Sequence, residues 1–118
     1  MRTFKASIVR AGERYFGVEV SDAGVVVAER HEGRACGLTR YPATQEGAQA
    51  LRRHVADASP HPHVCIKSCG AALMLATALA PVPGVEVTLV ASRALQRGPA
   101  ASAEEGAAQL ARLAERLF

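Results

Sequence analysis

The sequence has no tryptophan and no asparagine, and its aromatic residues are two tyrosines and three phenylalanines. That scarcity removes the stacking platforms on which single-stranded nucleic acid is usually held. It also predicts helices that pack closely on alanine, the commonest apolar residue here. Dense basic clustering is absent too: fourteen basic against eleven acidic residues leave a net charge of +3. Such a balance permits nucleic acid without demanding it. All but two of the basic residues are arginine, a bias that a GC-rich genome explains as well as phosphate recognition does. Only three cysteines occur, Cys36, Cys65 and Cys69, an odd number without framework spacing, which points to free thiols in a reducing compartment. The opening "MRTFKASIVRAGER" has no apolar run of the secretory kind, so a cytoplasmic protein is expected. Ser68 to Val85 is uncharged, but Pro81 and Pro83 cut its helical part to about a dozen residues, too short for a bilayer core. No membrane partner is expected.

What is present is the length for one domain, 118 residues, read as residues 15–118 after a leading segment 1–14 that adds an edge strand or frays. "YFGVEVSDAGVVVAER" alternates through Phe16, Val18 and Val20, turns, and resumes at Val25, the pattern of a hairpin. A third strand follows in "RACGLTRY" and stops at Pro42. Thr44 caps a helix to about Asp57 with Ala48, Leu51 and Val55 inward. "PHPH" breaks the chain, "HVCIK" is a buried strand, and "CGAALMLATALA" is a helix apolar all round, as suits a helix between two layers. "VEVTLVA" is a fifth strand, parallel to the fourth because a helix joins them. Ser102 and Glu105 form a capping box for a last helix with Ala103, Ala107, Leu110, Ala114 and Leu117 inward. The order is β-β-β-α-β-α-β-α.

That order is the topology of the ribonuclease H fold, a mixed five-stranded sheet with helices on both faces. "FGVEVSDAGVVVAER", "YPATQEGAQALRRHV", "KSCGAALMLATALA", "VTLVASRALQR" and "SAEEGAAQLARLAERL" resemble, in the same order, the N-terminal RuvC-like domain of the DEDD transposases of the Piv/MooV group. The resemblance spans roughly residues 15 to 117, with no counterpart of the larger C-terminal domain. It implies four carboxylates holding two Mg²⁺ ions for phosphodiester transfer, since a hard dication prefers clustered anionic oxygens. At the matching positions stand Glu19, Lys67, Ala103 and Gly106, with Glu104 and Glu105 as neighbouring substitutes. One acid of four remains. The resemblance also puts positions 19 and 67 close together, so Lys67 is expected to pair with Glu19 as a permanent internal cation.

Other residue groups carry competing readings. His61, His63 and Cys65 share one strand face if the fourth strand starts early, with Cys69 beyond, which would make a zinc grip. The plainer alternative puts the histidines in a proline-held loop and Cys65 in the core. Cys69 beside Lys67 at a helix start has the setting of a lowered thiol pKa, but no partner base is assignable. Arg40, Arg52, Arg53, Arg93 and Arg97 either gather into a basic face for DNA or are ordinary solvated charge. Leu113, Leu117 and Phe118 serve either the core or a homo-oligomer contact. The expectation is a degenerate transposase-like domain without a cofactor, either a binding or scaffolding module with weak affinity for nucleic acid or protein, or a genomic remnant. The alternative is a divergent nuclease acting on DNA, which alone would require Mg²⁺.

Overall fold

The computed structural model describes residues 13–21, 23–91 and 102–117. Five strands, β1 (Glu13–Ser21), β2 (Gly24–His31), β3 (Arg34–Tyr41), β4 (His61–Lys67) and β5 (Glu86–Val90), form one sheet in the order β3-β2-β1-β4-β5. The first three pair antiparallel, while β1–β4 and β4–β5 pair parallel. Helices α1 (Gln45–Ala58), α2 (Ala72–Leu79) and α3 (Ala103–Leu117) complete the α/β architecture. The expected element order and mixed sheet are both present.

Strand periodicity divides the core into two layers. Phe16, Val18, Val25, Val27, Val64 and Ile66 point to one face, where Ala48, Leu51 and Val55 of α1 and Leu75 and Leu79 of α2 cover them. Tyr15, Val26, Ala28, Cys65 and Val90 point to the other, where Ala107, Leu110, Ala111 and Ala114 of α3 pack. Fully burying each large side chain of this set contributes about 1.5–3 kcal/mol before ordering costs. Thr44 caps α1 by accepting from the Gly47 amide at 3.1 Å. Ser102 caps α3 by accepting from the Glu105 amide at 3.1 Å.

Several boundaries differ from the sequence reading. Glu13 and Arg14 belong to β1, and the other residues of the leading segment, with its expected edge strand, lie outside the described residues. β4 starts at His61, two residues before the expected His63, because pairing with β5 begins only at His63 opposite Glu86 and Pro62 has no ladder to break on that side. α2 is eight residues long and covered on one side only: Leu73 is 69% exposed. In α3 the buried stripe runs through Gly106, Ala107, Leu110, Ala111 and Ala114, while Leu117 is exposed. Phe118 lies outside the described residues. The β2–β3 turn carries Glu32 at φ 52° and Gly33 at φ 77°, both left-handed, as a two-residue hairpin of type I′ requires.

Helix α3 lies directly on the backbone of β1 at Gly17, the centre of that strand. A Cβ there would collide with the backbone carbonyl of Ala107 and the backbone amide of Ala111. Backbone cannot swing aside as a side chain can, so the lack of a side chain at Gly17 fixes how close α3 lies. Gly17→Ala is therefore expected to cost at least about 2–3 kcal/mol in the denaturant midpoint. Gly70→Ala, where a Cβ meets nothing within 4 Å, should stay within about 0.5 kcal/mol.

Candidate functional site

The C-terminal ends of the parallel strands carry the residues singled out by the sequence. Register places Arg40 opposite Val26, Val26 opposite Glu19, and Lys67 opposite Val90. Val26 and Val90 pack toward α3, so this row of side chains faces that helix. Glu19 is buried at 6% exposure on the central strand, and the Lys67 ammonium lies 3.4 Å from its Oε1. At the N-terminal turn of α3, Glu104 forms an ion pair with Arg40. Glu105 accepts from the Ser102 amide at 3.4 Å and completes the capping box. Ala103 is partly buried against Val26, Ala28, Ala107 and Ala111, and Gly106 is buried.

Magnitude decides whether this row fits a divalent ion. A dication about 4 Å from both groups would be attracted by the Glu19 carboxylate by about 8 kcal/mol at an effective dielectric of about 20, and repelled by the Lys67 ammonium by the same amount. At equal distances the two terms cancel, and one carboxylate paired with an ammonium supplies too few anionic oxygens for an ion that must shed hydration on entering. Arg40 offsets Glu104 in the same manner. The residues present do not fit Mg²⁺. They fit a closed set of internal ion pairs.

Because β4 begins at His61, His61, His63 and Cys65 share one strand face, as the zinc reading required. His61 is exposed, and His63 is 4% exposed and stacks on Tyr15 at 5.3 Å between ring centroids. The His63 ring also approaches Glu13 at 3.5 Å and Glu86 at 3.7 Å. Cys65 is buried, while Cys69 is exposed in the turn beyond β4, where its carbonyl accepts from the Ala72 amide. Among the described residues no group of three His, Cys, Asp or Glu side chains is placed to hold a metal ion. Arg40 reaches toward α3, whereas Arg52 and Arg53 stand exposed on α1, the helix that covers the opposite sheet face, so these three form no single patch. Arg93 and Arg97 lie outside the described residues.

Sequence reasoning missed a polar chain on the α1 face. Glu29 of β2 accepts from Arg14 at 2.8 Å and meets His54 Nε2 at 3.0 Å, and His54 Nδ1 meets the Tyr41 hydroxyl at 2.8 Å. Burial, then the Glu29 charge, push the Tyr41 phenol up, with Arg53 opposing. The phenol therefore keeps its proton, and the His54 ring bridges it to the Glu29 carboxylate, which can only accept from Nε2–H. A signal existed: Glu29 shares the inward parity of Val25 and Val27, so its charge had to find partners. Cys36 is the extra residue where the β2–β3 register shifts between Glu29 and Arg30. Its sulfur lies 3.3 Å from Arg14. No family model and no curated protein matches the chain.

Two predictions follow from these environments. Lys67→Met should lower stability by about 1–3 kcal/mol by weakening the compensation of a buried charge. Joining it to Glu19→Gln should recover part of that loss, so a double-mutant cycle by chemical denaturation should give a positive coupling. Burial pushes the Cys65 thiol from 9.0 up to about 11. The unfolded chain then releases that proton first, so stability contributed by the protonated thiol is lost as pH rises from about 9 to about 11. Cys65→Ala should flatten that part of a stability-against-pH curve.

Proposed function

We propose that this chain is a catalytically degenerate ribonuclease H-like domain, akin to the RuvC-like N-terminal domain of DEDD transposases, that serves as a binding module. The carrying observation is the Lys67 ammonium, 3.4 Å from the one acid that remains at a matching position. Support for the fold assignment comes from three antiparallel strands followed by parallel β4 and β5 with intervening helices. Support for lost chemistry comes from the side chains at the other matching positions. Lys67 carries the wrong charge, and Ala103 and Gly106 have no ligand atoms. Glu104 and Glu105, the nearest substitutes, are held by Arg40 and by the helix cap.

The partner proposed is DNA, held weakly through arginine contacts to phosphates and without sequence preference, in the cytoplasm. Such binding falls steeply with salt because each neutralised phosphate releases counterions. Thermal shift with Mg²⁺ and Mn²⁺, run beside cleavage assays on linear and branched DNA, tests the reading. The expected result is no stabilisation and no cleavage, with duplex binding that weakens as salt rises. Metal-dependent stabilisation together with cleavage would establish the nuclease alternative instead.

A further inference from the structure

Seating α3 on β1 leaves one strip of the sheet uncovered among the described residues. The helix packs over β1, β2 and β4, while β3 projects past it with Ala35 exposed and Leu38 at 52% exposure. Register sets what the strip presents. Leu38 stands opposite Ala28 and Ala35 opposite Arg30, and the shift at Cys36 turns that thiol to the other face, toward Arg14. Between strip and helix lies a pocket of about 240 Å³, lined by Ala28, Ala35, Gly37 and Leu38 from the sheet and by Ala108 and Ala111 from α3. Ion pairs join sheet to helix at both ends of the strip, Arg40 with Glu104 and Arg30 with Glu115, the latter at 2.9 Å. Four charged residues also line the pocket: Glu29, Arg30, Glu104 and Arg112. The first three are paired within the chain, Glu29 with Arg14 and His54, Arg30 with Glu115, and Glu104 with Arg40. Arg112 has no ion-pair partner among the described residues.

We infer that this pocket binds a small organic monoanion, a carboxylate carried on a compact aromatic or branched aliphatic body. The body lies among the alanines and Leu38, and the carboxylate meets Arg112. The charge count selects this occupant. A guanidinium fork matches a carboxylate with two parallel hydrogen bonds, and the fork of Arg112 is the one not already engaged. A neutral guest of the same shape would fill the pocket but leave that cation without a counter-charge. A zwitterion would bring an ammonium beside an arginine, with both lining glutamates already taken. A dianion would find no second cation, because Arg30 and Arg40 are held. Size narrows the choice further: the volume is below the range of about 300–1,000 Å³ usual for drug-sized ligands, which limits the guest to one ring or a short branched chain. This inference stands apart from the proposed loss of catalysis.

NMR titration of the full chain with phenylacetate tests it. The expected result is saturable shifts at Ala28, Leu38, Ala108 and Ala111, with a dissociation constant below about 1 mM. Phenylacetamide, which has the same body without the charge, should bind at least about 3-fold more weakly. Arg112→Gln, at an exposed position on α3, should keep the wild-type melting curve. It should bring phenylacetate down to the level of the amide and leave the amide itself unchanged. Ala108→Phe, which fills the pocket from its helix wall, should abolish binding of both, and Leu38→Gln, on the exposed strand, should weaken both alike. No saturable shift at about 10 mM phenylacetate overturns the inference. So do equal affinities for phenylacetate and phenylacetamide, or shifts centred away from the pocket. Tighter binding of an acetylated Leu-Asp peptide than of phenylacetate would also overturn it, by assigning the pocket to a protein partner.

Discussion

The contact on which the arrangement depends is backbone against backbone, where α3 lies down on β1 at Gly17. Because β1 is the middle strand of five, that single seat fixes the helix over β2 and β4 as well. Alanines at positions 107, 111 and 114 continue the close fit on either side. The seat determines what stands at the start of α3. Ala103 rests on Val26 and Ala28, and Glu104 reaches Arg40 on the outermost strand. A bulkier residue at Gly17 would lift the helix and part these groups together. Packing geometry and the electrostatics of the strand ends are thus one constraint.

Those strand ends are a place where charge has been settled internally. Glu19 on the central strand and Glu104 on the helix each have a cation of the chain's own, Lys67 and Arg40. Buried or half-buried carboxylates need compensation from somewhere, whether from metal, water or protein. When the compensating group is a covalently attached amine, its effective concentration does not vary with the medium. The opposite sheet face solves the same problem with Arg14 and His54 around Glu29. Both solutions tie separate elements together: β1 to β4 at one end, and β1, β2 and α1 at the other.

Much of this was legible in the sequence where the signal is periodic. Alternation in "YFGVEV" and "GVVV", the Thr44 cap and the Ser102–Glu105 box each mark an element that the structure contains. The Glu19–Lys67 pair was also expected, but through resemblance, because nothing local to either residue indicates the other. Sequence reading failed where the outcome depends on what lies across a strand. Pro62 reads as a breaker until one knows that β5 has not yet joined at that position. Leu73 reads as core because composition cannot say which layer is absent above α2. The chain from Arg14 through Glu29 and His54 to Tyr41 needed the β1–β2–β3 register and the placement of α1 at once.

The bulge at Cys36 bears on how the sheet ends. Among the described residues β3 is an outer strand, and an outer strand offers a row of amides and carbonyls to any extended segment that drifts against it. An inserted residue bends the strand and breaks the even spacing of that row, and Pro42 removes a donor immediately past its far end. An approaching segment meets a straight run of only a few residues before the spacing fails. The kink that turns Cys36 toward Arg14 therefore also makes the β3 edge a poor template for a further strand.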